Sequence, residues 1–68
     1  MPTSGRDLRI ERLMAEVTIV ALAARMGLSR QALWVIERQA TVDPGRAAQY
    51  RSALQDVITT PNIAAASA

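Results

Sequence analysis

The 68-residue chain contains no cysteine and no histidine. Without cysteine there is no disulfide framework to staple a small fold and no thiolate nucleophile. Without histidine the commonest general base is missing, and the two absences together remove the usual zinc ligands. Lysine is missing too, so that all eight basic residues are arginine. No apolar run approaches the roughly 18 to 20 residues a membrane span requires, and the opening MPTSGRD lacks the hydrophobic stretch of a signal peptide. Asp7, Glu11, Glu16, Asp43 and Asp56 are spread along the chain with no nucleophile, base or metal constellation among them. These absences speak against an enzyme, and the expectation is a soluble, cytoplasmic protein that needs no metal or other cofactor.

What is present is a chain half of whose residues are apolar. A domain this small buries only roughly 60% of the surface its unfolded chain exposes, so a single, mostly helical domain with a tight core is expected. The formal net charge is only +2. Arginine favours planar, bidentate contacts to phosphate or guanine, yet a GC-rich coding genome yields the same arginine and alanine content. Charge balance is therefore a weak pointer to nucleic acid, and the residue pattern has to decide.

Residues 1–5 carry Pro, Thr, Ser and Gly without periodicity and read as a flexible arm, with Thr3 or Ser4 as a helix cap. A first helix is expected from there to about Glu16, with Leu8, Arg12 and Ala15 on one face and Ile10, Leu13, Met14 and Val17 widening the apolar surface. Thr18 is a cap for a second helix through Met26, which turns Leu22, Ala23 and Met26 inward and ends at Gly27. Leu28 plugs the core. Ser29 caps a third helix, Arg30 to about Arg38, with Leu33 and Ile36 inward and Arg30, Gln31, Trp34 and Arg38 on or beside the outer face. Asp43-Pro44 reads as a cap followed by proline at the first helical position, opening a fourth helix to about Thr59 with Ala47, Tyr50, Leu54, Val57 and Ile58 as its stripe. The folded unit is thus expected over residues 6–60, and residues 61–68 as a frayed tail.

The informative stretch is IVALAARMGLSRQALWVIER, residues 19–38. Two short helices joined by a three-residue turn pack closely only if certain positions are small or apolar. Here Leu22, Met26, Leu28, Leu33 and Ile36 supply the contacts, Ala23 lets the helices approach, and Gly27 stands where the turn can need a positive φ. Over about Leu8 to Ile58 the chain resembles the helix-turn-helix family of phage repressors and Cro proteins, the xenobiotic-response-element type. The likeness rests on LAARMGLSRQALWVIE, with its leucine-alanine pair, turn glycine, cap and terminal glutamate. The resemblance implies an all-α, lambda-repressor-like domain of four, at most five, helices. It also implies a salt bridge from Glu37 to Arg12 on the first helix. The chain departs from the family in having Ile19 and Val20 where many relatives carry a phosphate-holding glutamine. Arg38-Gln39 stands where asparagine-glycine is frequent, and the usual fifth helix is absent or vestigial.

Docking geometry then implies that the third helix enters the major groove of double-stranded DNA by its N-terminal end, where Ser29, Arg30 and Gln31 stand. Arg30 suits guanine O6 and N7, and Gln31 suits adenine N6 and N7. Two readings of Trp34 stay open: contact with thymine methyls or the sugar-phosphate wall, or burial over helix 2 or 4. Val35 is a further base contact. Phosphate anchoring is expected from Thr18 and the backbone N–H groups opening helix 2, from Arg38 and from Arg46.

One such domain spans too few base pairs to choose a site, so a homodimer on a palindromic operator is expected. Two surfaces are candidates for its interface: Tyr50, Leu54, Val57 and Ile58 on helix 4, which could equally complete the core, or Ile10, Leu13 and Met14 with Ile19 and Val20. A repressor is the simplest role. An antitoxin or other module with a protein partner is the rival on the same fold, although the stretch after Pro61 is short for a toxin-wrapping segment. An architectural DNA-bending protein would want minor-groove wedges or a basic arm, and the arm region offers only Arg6.

Overall fold

The computed structural model describes residues 2–59. Among them are four helices in the order α1 (Gly5–Met14), α2 (Ile19–Met26), α3 (Arg30–Glu37) and α4 (Pro44–Thr59), and no strands. The tail expected over residues 61–68 lies outside the described residues.

Each helix starts on a side chain suited to the task. Ser4, Thr18 and Ser29 are extended N-caps whose hydroxyl oxygens accept from the backbone N–H of Asp7, Ala21 and Ala32, each at 3.1 Å. Asp43 Oδ2 accepts from Gly45 N at 3.0 Å and Arg46 N at 3.3 Å, with Pro44 at the first helical position, where its missing N–H costs nothing.

The two short turns close alike but with different residues. After α2, left-handed Gly27 (φ 71°) lets its own N–H reach Ala24 O and the Leu28 N–H reach Ala23 O at 2.9 Å. After α1 the same pair of bonds forms from Glu16 N to Leu13 O and from Val17 N to Arg12 O, but the left-handed residue is Glu16, φ 60°. A side chain in that conformation is strained, and the turn holds because Val17, the next residue, is buried. The left-handed turn also ends α1 at Met14, two residues before the expected Glu16.

Leu8, Val17, Leu22, Ala23, Met26, Leu33, Ile36, Val42, Ala47, Tyr50, Ala53 and Leu54 form one core, with Leu28 partly buried against it. Tyr50 and Leu54, expected at a dimer face, belong to this core and are closed to a partner; Tyr50 is 0% exposed. The reason is that α4 packs along α2 as well as α1, so one turn after another of its apolar side is consumed inside the domain. Val57 is half-buried, and only Ile58 of the four stands open, at 40% exposure.

The segment expected as a flexible arm is instead pinned from Thr3 onward. Thr3 and Val42 form an isolated antiparallel bridge with Val42 N donating to Thr3 O at 2.7 Å, and Gly5 N donates to Gln39 O at 2.8 Å. Gly5 is buried where α1 begins against the end of α3. A Cβ there would fall on the carbonyl oxygen of Ile36 and within 2.6 Å of the Glu37 carbonyl carbon, so only glycine permits this approach.

Candidate nucleic-acid interface

α2 and α3 are joined by the three residues Gly27, Leu28 and Ser29 and turn through 103°. α3 is amphipathic over its two turns. Leu33, Ile36 and Glu37 are buried, while Arg30, Gln31, Trp34 and Val35 are exposed, as is Arg38 just beyond its end. The leucine and isoleucine anchor the helix against the core, and the polar side is left facing solvent with two large apolar side chains among its charges.

Beneath that face lies an ion-pair network. Arg12 Nε donates to Glu37 Oε2 at 2.7 Å and Nη2 to Oε1 at 3.1 Å, a fork-to-fork pairing that locks both groups. The third nitrogen, Nη1, donates to the Val17 carbonyl at 2.9 Å, and the Tyr50 hydroxyl donates to Glu37 Oε2 at 2.6 Å. Arg12 and Glu37 are both buried, and among the described residues no buried side-chain polar atom lacks a partner. The hydrogen bond to Glu37 holds the Arg12 guanidinium above the ordinary arginine range against the opposing effect of burial. Burial first, and the Glu37 hydrogen bond second, push the Tyr50 phenol up from its ordinary value. The network ties α1, the α1–α2 turn, the last turn of α3 and α4 to one carboxylate. The orientation of α3 is therefore set by three other parts of the chain.

The residues expected at the base-reading end stand together. Arg30, Gln31, Trp34 and Ile19 line a shallow cleft where the starts of α2 and α3 meet. Trp34 is 50% exposed, which rules out its burial over helix 2 or 4. The Arg38 guanidinium lies over its ring, 4.5 Å from the centroid, a cation–π contact that holds both outward. Ser29 and Thr18 use a hydroxyl lone pair for capping, which leaves each hydroxyl hydrogen to donate elsewhere. Arg46 is apart from this group: it borders a different groove with Leu28, Ala32, Val35 and Asp43, and its Nη1 donates to Gln49 Oε1 at 3.0 Å.

Two arginines at the site do not stand out in the sequence. Arg6 and Arg9 on α1 line a groove with Ser4, Trp34, Arg38 and Gln39, between the first turn of α1 and the end of α3. The sequence signal for them is their i, i+3 spacing on the outer side of α1, which only the docking of α1 on α3 turns toward Trp34. Long-range pairs were equally invisible. Arg51 forks onto Glu11 at 2.7–3.2 Å, and Arg25 reaches Asp56 at 3.3 Å, both on the exposed surface. Among the described residues no group of three or more acidic, histidine or cysteine side chains is placed to hold a metal. No single described helix is long and apolar enough to cross a membrane.

No protein-family model, no curated protein and no solved structure matches this chain.

Proposed function

We propose that the chain is a sequence-specific regulator that binds double-stranded DNA, with α2 and α3 acting as a helix-turn-helix and α3 entering the major groove. The observation that carries this reading is the division of α3. Its inner side is anchored by Leu33, Ile36 and the Arg12–Glu37–Tyr50 network, while Arg30, Gln31, Trp34 and Val35 project together from its outer side. A major groove about 12 Å wide admits such a helix, and a rigid mount is what base discrimination at hydrogen-bond distance requires. In this reading Arg30 and Gln31 contact base edges, Trp34 and Val35 supply apolar contact to thymine methyls or sugars, and Ser29, Thr18 and Arg38 hold phosphates.

The regulator acts as a homodimer on a palindromic operator, most simply as a repressor. With Tyr50 and Leu54 enclosed, the exposed Ile10, Leu13 and Met14 of α1 and Val20 of α2 favour the second of the two expected faces for the two-fold contact. The same exposed residues support the rival reading, in which the main partner of this fold is another protein, such as the toxin of an antitoxin pair.

The test is to select duplexes from a random library with the purified chain and compare a selected duplex with its scrambled form by fluorescence anisotropy. Tight binding to the selected duplex that Arg30→Ala weakens by roughly 5- to 150-fold, the worth of one bidentate base contact of about 1 to 3 kcal/mol, supports the reading. Failure to enrich any sequence refutes it and directs the search to a protein partner.

A further inference from the structure

We infer that the groove between the first turn of α1 and the end of α3 is a second DNA-contacting site, in which Arg6, Arg9 and Arg38 clamp the phosphate backbone flanking the major groove. The inference rests on the operator-binding reading and extends the contact surface onto α1.

Charge sorting on the surface is the first ground. Arg12, Arg25 and Arg51 are each matched by a carboxylate, and Arg46 by Gln49. Arg6, Arg9 and Arg30 make no ion pair or hydrogen bond through their side chains among the described residues, and Arg38 makes only its stacking contact with Trp34. All four unmatched arginines therefore border the two adjacent clefts that share Trp34. The acids nearest the α1 groove are accounted for. Glu37 is neutralised by Arg12, and the charge of Asp7 is felt by Arg51 on the other side of α1. The groove presents three guanidiniums with no anion among the described residues to offset them.

Distance is the second ground. Arg30 and Arg38 are eight residues apart along α3, about 12 Å at 1.5 Å per residue, which is about the width of the major groove. With the start of α3 at the bases, its end is at the groove wall, where the phosphates run. The first turn of α1 adjoins that end because Gly5 allows α1 to abut Ile36 and Glu37. Arg6 and Arg9 are thereby set beside Arg38 at the height of the backbone and not of the base edges. Guanidinium forks match phosphate oxygens, and such contacts add affinity without sequence preference.

The experiment compares the parent with Arg6→Ala/Arg9→Ala on the selected and the scrambled duplex over a salt series. Two lost phosphate contacts lower the slope of log affinity against log salt by about 1.8, so between about 50 and 200 mM salt the parent loses roughly twelvefold more affinity than the variant. The loss at low salt is expected to be the same on both duplexes, whereas Arg30→Ala acts mainly on the selected one. Arg6→Lys/Arg9→Lys keeps the charges and restores the slope. Both arginines are exposed, and circular dichroism verifies that the variants are folded. A slope unchanged in Arg6→Ala/Arg9→Ala overturns the clamp and leaves the operator reading standing. A parent that binds no duplex overturns both.

Discussion

Removing Arg12 tests whether the network under α3 is held together by charge. In Arg12→Met the Glu37 carboxylate, 5% exposed, loses both guanidinium hydrogen bonds and keeps only the Tyr50 hydroxyl. An uncompensated buried charge costs about 3 to 5 kcal/mol. A chain of this length is stable by roughly 3 to 10 kcal/mol in total, so the single variant is expected at or near the edge of folding. Removing Glu37 as well takes away the stranded charge, but leaves the Tyr50 hydroxyl buried without its acceptor, a penalty of about 1 to 3 kcal/mol. Only Arg12→Met/Glu37→Met/Tyr50→Phe removes every polar member, and replacing a buried pair by apolar groups of similar volume is often neutral. The Val17 carbonyl loses its Arg12 donor in all three variants, so that cost cancels from their differences. Urea unfolding followed by far-ultraviolet circular dichroism should therefore rank the triple variant above the double and the double above the single. The exposed Trp34 is a poor reporter of the core for this purpose. An Arg12→Met variant within about 1 kcal/mol of the parent, or a triple variant less stable than the single, would refute the reasoning and make the network a matter of shape alone.

Three further outcomes follow from the same geometry. Gly5→Ala should destabilise by about 1 to 3 kcal/mol or more through collision with the Ile36 and Glu37 backbone, although helix propensity alone would make it a gain of about 1 kcal/mol; a raised thermal midpoint would contradict the close approach. Glu16→Gly should stabilise by up to about 1 kcal/mol, because relief of left-handed strain at φ 60° exceeds the entropy glycine adds to the unfolded chain, and a thermal midpoint several degrees higher is the observable. Because the Tyr50 phenol is held above its ordinary value of 10.0, the native state keeps a proton that the unfolded chain gives up. Its contribution is therefore complete below pH 10 and declines above it, by up to about 1.4 kcal/mol per pH unit. Tyr50→Phe should start less stable and lack that alkaline slope, which urea midpoints across the range would read.

The elements of this protein are written in its local chemistry. Ser4, Thr18, Ser29 and Asp43 with Pro44 mark four helix starts because each supplies the acceptor that an opening turn needs, and Gly27 marks a stop because it tolerates a left-handed φ. The inward set Leu22, Ala23, Met26, Leu33 and Ile36 is likewise legible from helical spacing. At the candidate site, the same spacing exposes Arg30, Gln31 and Val35 together, and a family likeness pairs Arg12 with Glu37. Tertiary packing decided the rest, because it depends on distances between residues far apart in the chain. It turned Tyr50 inward onto Glu37, closed Leu54 to any partner, and stood Trp34 outward under Arg38. It forced a glutamate into a glycine conformation at residue 16 and fastened residues 3–5 to the end of α3. By docking α1 there, it also brought Arg6 and Arg9 beside Arg38. Periodicity tells which side of a helix is apolar; which neighbour covers that side, and which charges are left unmatched on the other, is settled only when the helices meet.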